Sequence, residues 1–239
     1  VLTAWREWTT TVPDTMNSSV GLMVHPGLPF VPEALRGRYV AHVRIACTSG
    51  TIEGRRLVAP LRAVGPRLLD TLRDMPYTAS GSIFDDPVHP HGYTGDSALL
   101  GSLDSGALRA AVDIAGPTAP VMCVVDLRHL GGALARPQGA PNAVGHRDAS
   151  YILRVLSPVG PWTRDEVVPV HEQLLTAVGP RTVGRSANFV YGAGHPASPR
   201  PVTTLYDSDA YARLTRLKAV HDPGNTFRVN HNIPPAAGA

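Results

Sequence analysis

Three stretches alternate apolar and polar residues with a period of two, and a chain that carries them must build a sheet with two unlike faces. Residues 39–47, YVAHVRIAC, put Ala41, Val43, Ile45 and Cys47 on one side and Val40, His42, Arg44 and Ala46 on the other. Residues 120–130, PVMCVVDLRHL, set Val121, Cys123, Val125 and Leu127 against Met122, Val124, Asp126 and Arg128, and Gly131-Gly132 then bends the chain. Residues 149–156, ASYILRVL, make a third strand with Arg154 on the polar side. His42, Arg44, Asp126, Arg128 and Arg154 thus share one face. So charged a face must meet water, a ligand or another domain, because unpaired burial is too costly. The plain alternative is a solvated face, which antiparallel sheets commonly have.

Helical periodicity fills the intervals. Residues 1–11 place Leu2, Trp5 and Trp8 on one stripe, and Pro13 ends that helix. Residues 18–25 read as a strand, followed by a loop from Pro26 to Pro32. Thr51 to Val64 reads as a helix with Ile52, Leu57, Val58 and Leu61 inward, although Gly54 and Pro60 oppose it. Residues 67–84 fit helix or strand. Residues 85–97 read as a loop leading into a helix around Ala98 to Leu103. A helix from Leu108 to Ala115 follows a cap at Asp104 or Ser105, and another runs from Thr163 to Val178. Residues 184–191 fit strand or turn, and the Gly, Pro and Ser of residues 192–204 make a mobile loop, open to proteolysis near Arg200. Two strands, then a helix, is the recurring rhythm. It predicts an α+β fold: an antiparallel sheet with helices packed on one face, plus a C-terminal helix and an irregular strap.

At 239 residues the chain has room for one large or two small domains, and 43% apolar against 17% charged residues is a globular balance. The net charge is only +3, and no basic cluster interleaves with aromatics, so nothing suggests a nucleic-acid partner. No apolar run approaches membrane-spanning length. Cys47 and Cys123 lie inside strand-like runs and read as core thiols, with a reducing cytoplasm as the default location. His89-Pro90-His91 is too little for a metal site without a third ligand, and none is predicted. There is no GxGxxG after a strand, no Walker motif and no nucleophile elbow.

The end of the chain is more specific. Tyr206 to Pro235 reads YDSDAYARLTRLKAVHDPGNTFRVNHNIPP. Asp207, Ser208 or Asp209 can cap a helix with Tyr211, Leu214 and Leu217 on one face. Lys218 and His221 sit in its last turn, and Asp222-Pro223-Gly224-Asn225 stops it. Asn230 and Asn232 then flank His231 before a double proline. The order Tyr211, Arg213-Leu214, Lys218, Asp222-Pro223, Asn225, Phe227, Asn230, Asn232-Ile233, Pro234 resembles the C-terminal signature of the berberine-bridge-enzyme-like flavin oxidases. Leu127 to Arg136 (LRHLGGALAR), His146 to Tyr151 (HRDASY) and Ala187-Asn188-Phe189 resemble strands of the same family's substrate domain.

The resemblance implies a substrate-binding domain over residues 1–185 and a C-terminal segment, 186–239, that returns to an N-terminal FAD-binding domain not contained in this chain. It implies a parent oxidoreductase that passes hydride from a small alcohol, sugar or secondary metabolite to flavin N5. Tyr211, Asn230 and Asn232 would then bind FAD, and His42, Arg44, Asp126, Arg128 and Arg154 would line the substrate pocket. The sequence departs from the family at two points. Ser186 stands where members often carry a Tyr, and Ala133-Leu134-Ala135-Arg136 stands where some carry a Glu, so no catalytic base is recognisable. On its own this chain is expected to be inactive and not to retain FAD. The competing reading is a stand-alone α+β module that binds a ligand or pairs face to face as a homodimer, without redox chemistry. For the asparagines, the competing reading is a turn that bonds its own backbone.

Overall fold

The computed structural model describes residues 1–84, 86, 90–137, 139, 142–191 and 201–237. Six strands form one antiparallel sheet: β1 (Met16–Val24), β2 (Tyr39–Cys47), β3 (Tyr93–Leu100), β4 (Val124–His129), β5 (Tyr151–Pro158) and β6 (Thr182–Gly184), in the order β2-β1-β4-β5-β3-β6. Four helices cover one side of it: α1 (Leu2–Thr9), α2 (Thr51–Arg62), α3 (Ser105–Ala115) and α4 (Arg164–Val178). The α+β architecture expected from the alternation is the one observed.

The core lies between these helices and alternate strand residues. Val20, Leu22, Val125, Leu127, Leu153 and Val155 point into it from β1, β4 and β5. Trp5 and Trp8 enter from α1, as the stripe predicted. Their indole N–H groups donate to Ser18 Oγ at 3.0 Å and to the Leu57 carbonyl at 2.7 Å, which removes the cost of burying them. Asp104 caps α3 by accepting from the Ala107 N–H at 2.9 Å. Thr163 and Glu166 form a capping box at the start of α4. From there Val167, Val170, His171, Leu174, Leu175 and Val178 bury one face at helical spacing.

Several expectations need correction. Residues 93–100 are a strand, β3, where the sequence suggested a loop and then a helix. The run Thr94-Gly95-Asp96-Ser97 looks too polar to pair inside a sheet, yet its side chains have partners. Arg164 donates to Thr94 Oγ1 at 3.0 Å, Arg185 binds both oxygens of Asp96 at 2.8 Å, and Ser97 Oγ meets the backbone of Ser186. Tertiary partners outweigh local propensity here. Ile52 is 88% exposed, because α2 turns its first-turn residue outward and buries Val58 instead, with Leu57 and Leu61 alongside. Residues 77–83 form a 3-10 turn, not a helix or strand. The Gly131-Gly132 bend is present, with Gly132 at φ +68°, a conformation that favours glycine.

The fifth helix, α5 (Ser208–His221), starts from Asp207 and buries no residue. Residues 192–200, the greater part of the loop expected to be mobile and to be cut near Arg200, lie outside the described residues, as does His89; Val202–Leu205 forms a 3-10 turn.

Candidate functional site

Strand register decides which side chains meet on the face that carries no helices of the core. The pairings align His42, Gly21, Asp126, Arg154 and Ser97 as one row across β2, β1, β4, β5 and β3. The next row, two residues along, is Arg44, Ser19, Arg128, Ile152 and Leu99. The five residues expected on the polar face are therefore neighbours, brought together from three strands far apart in sequence.

Asp126 is the centre. Its side chain is 2% exposed, and three guanidiniums converge on it. Arg128 Nε donates to Oδ2 at 2.6 Å; Arg44 Nη1 lies 3.4 Å from Oδ1 and Arg154 Nη2 lies 3.5 Å from Oδ2. Only the first is a close hydrogen bond. Gly21 explains how Arg44 reaches across β1: a Cβ at that position would stand 2.6 Å from Arg44 Nη1, so any side chain there blocks the approach. Burial pulls the Arg44 guanidinium below its ordinary value, opposed by the charge of Asp126.

This face, expected to meet water, a ligand or another domain, is partly roofed by two rings of the chain itself. The Phe84 ring lies over Arg44 and Arg128 at 5.0 and 4.6 Å, and the Phe189 ring over Arg128 and Arg154 at 4.9 and 5.0 Å. Arginine stacks on aromatic faces because the ring quadrupole attracts its charge while the weakly hydrated plane sheds water cheaply. Phe189 also packs on Leu99, Ala149 and Ile152, an apolar patch next to the charges. The site thus has a charged half and an apolar half under two rings. Sequence reasoning missed Ser19, Gly21, Phe84 and Phe189. The signal available for Gly21 was a glycine inside an apolar strand run, which points to a close approach by another group.

Among the described residues, His231 ties the C-terminal residues to this region. His231 Nε2 lies 3.0 Å from the carbonyl oxygen of Ala187, two residues before Phe189. Asn230 and Asn232 flank that tie. Asn230 is exposed and in the left-handed region at φ +63°, while Asn232 Oδ1 is buried without a hydrogen-bond donor among the described residues. The Asn232 N–H bonds the Asn230 carbonyl at 2.9 Å, so the turn expected from two asparagines exists as well. Tyr211 is half-buried on α5, its ring 6.2 Å from that of Tyr206. The backbone N–H and carbonyl of Ser186 meet Ser97 Oγ at 3.3 and 3.5 Å. Among the described residues no group of His, Cys, Asp and Glu could hold a metal ion, and no helix is long and apolar enough to cross a membrane.

Residues 197–234 match the family model described as berberine and berberine like. An FAD-linked oxidoreductase of Dictyostelium discoideum is 25% identical over 207 residues, which is 81% of this chain and 42% of that protein. Among solved structures, a chitooligosaccharide oxidase superposes with a TM-score of 0.73 at 16% identity, covering 99% of this chain and 52% of its own. A xylooligosaccharide oxidase from Myceliophthora thermophila, solved with xylobiose, gives 0.71 at 16%, covering 98% and 51%. The chain thus spans about half the length of these proteins, or less. It is similar, in its C-terminal sequence and in its fold, to part of the berberine-bridge-enzyme-like FAD-linked oxidoreductases.

Proposed function

We propose that this chain is the substrate-binding and C-terminal part of an FAD-dependent oxidoreductase that oxidises a small hydroxylated molecule, a sugar being the leading class. The observation that carries the reading is the Asp126-centred cluster on the sheet face without core helices, within a fold shared with oligosaccharide oxidases. Residues 1–185 form the substrate wall in this reading, and residues 186–239 the segment that meets the flavin-binding part. Free thiols at Cys47 and Cys123 accord with a cytoplasmic protein.

The C-terminal residues suit the edge of an isoalloxazine. The orphaned Asn232 Oδ1 can accept from a ring N–H, and the exposed Asn230 amide and the Tyr211 hydroxyl offer donors and acceptors. Bound FAD supplies the hydride acceptor at N5. The residues of this chain bind and orient the substrate, and Phe84 and Phe189 keep water from the guanidiniums. Each amide contact with the cofactor contributes only about 0.5–1.5 kcal/mol net, which does not offset the entropy of fixing a large flexible dinucleotide. Most of the affinity for FAD therefore resides outside this chain. The test is to incubate the purified chain with FAD, desalt it and record the visible spectrum. The expected result is no retained flavin band. A near-stoichiometric band would overturn this division of labour.

A further inference from the structure

We infer that Arg44, Arg128 and Arg154 form a receptor for a carboxylate on the substrate, so that the molecule held at this face is an acidic sugar of the uronate kind. The substrate role rests on the oxidoreductase reading above; the anion site does not.

The cluster has more cation than it can neutralise. Three guanidiniums face Asp126, and the other carboxylate that acts on Arg44 among the described residues is the exposed Asp86. The side chains of Arg44, Arg128 and Arg154 are only 15%, 24% and 16% exposed, so water screens their mutual repulsion poorly. A cluster whose only task was to hold the sheet together would close its ion pairs. Here Arg44 and Arg154 stand at 3.4 and 3.5 Å from Asp126, and the Nε atoms of both are buried without an acceptor among the described residues.

A second observation points the same way. Ser19 is 3% exposed, lies directly between Arg44 and Arg128 in the register, and its hydroxyl has no hydrogen-bond partner among the described residues. A buried hydroxyl left unpaired is costly, and one between two guanidiniums is placed to donate to an anion they hold. Each guanidinium carbon stands 4.6–5.0 Å from a phenylalanine ring centroid, and the N–H edges are the side chain's means of holding an anion. A planar carboxylate accepts from such edges in bidentate fashion. Phe189, half-buried over Leu99 and Ile152, gives the apolar face of a sugar ring a surface to rest on.

The experiment is a calorimetric titration of this chain, without FAD, with D-glucuronate and D-glucose at low ionic strength. The two probes differ only in whether C6 is a carboxylate. We expect glucuronate to bind about tenfold more tightly or better, Arg154→Gln to abolish the preference, and Ser19→Ala to weaken glucuronate about threefold with an unchanged melting temperature. Equal binding of the two sugars overturns the proposal. So does full glucuronate affinity in a folded Arg154→Gln or Ser19→Ala protein; if Arg154→Gln does not fold, Ser19→Ala decides. Inorganic phosphate binding as tightly as glucuronate overturns the assignment to a carboxylate. Because no flavin takes part, a failure of the oxidoreductase reading would leave these results intact.

Discussion

The two faces of this sheet are made by the same strands, yet they solve the burial of polar groups in opposite ways. On the helix-covered face lies His171, 4% exposed, whose Nε2 meets Ser157 Oγ at 2.9 Å. Ser157 also reaches Cys123 Sγ at 3.5 Å, so the trio is neutral and closed. On the other face Asp126 is as deeply buried, but it is charged, and its partners are three cations of which two sit at long range. A neutral polar cluster matched to its neighbours can be sealed under helices at little cost. An unbalanced charged one cannot, and it stays at a face that something else can reach. The difference between the faces is therefore one of charge balance more than of depth.

The largest effect should come from unbalancing the charged face further. Asp126→Asn removes the buried counter-charge and leaves three clustered guanidiniums. Removing one partner of a buried ion pair commonly costs about 3–5 kcal/mol, so urea denaturation should show a loss of roughly 3 kcal/mol. A loss below about 1 kcal/mol would mean that solvent already screens this face, and the contrast would collapse.

The neutral face should answer to pH. Burial, and then the charge of Arg164, hold His171 at about 4, below the ordinary 6.5. The unfolded chain takes up a proton as pH falls through 6.5, whereas the folded chain resists until about 4. Stability therefore rises with pH across that window and is lost on acidification, by an amount on the order of 3 kcal/mol at most. Burial also lowers His25 and His129, which act in the same direction. The informative quantity is the difference between wild type and His171→Gln: the variant should lose most of the slope between pH 6.5 and 4. An identical slope would place the proton elsewhere.

The strands that build both faces were legible in the sequence wherever one face was apolar. Residues 39–47 alternate, and β2 has those same ends. β3 was illegible because its polar residues are satisfied by Arg164, Arg185 and Ser186, which come from 70 to 89 positions away. The members of the charged cluster could be read from alternation, but not their geometry. That depends on the register of β1 against β2 and β4, and on Gly21 making space for an arginine two strands from Asp126. Phe84 and Phe189 belong to 3-10 turns or their ends, where no periodicity marks an inward side chain.

The smallest effect belongs to the turn that follows α5, which neither face buries. Phe227 and Val229 are each 81% exposed, and order at the end of α5 is local. Asp222 accepts from Lys218 Nζ and from the N–H groups of Thr226 and Phe227 at 2.8 and 3.0 Å, and Lys218 Nζ also donates to the Phe227 carbonyl at 2.7 Å. The Lys218 hydrogen bond first, and the backbone donors after it, hold the Asp222 carboxyl down at about 2. With a folded value below the unfolded one, this turn is favoured at full strength above pH 3.8 and loses that support as pH falls through about 2. The turn should therefore keep its amide protection throughout the acid window in which His171 weakens the core. Asp222→Ala should raise exchange at Thr226 and Phe227 about tenfold while the melting temperature stays at the wild-type value. Hydrogen exchange followed by mass spectrometry from pH 6.5 to 4 separates the cases. If the protection of these amides falls in step with the core, the strap and the neutral face share one cooperative unit, and its order is not local.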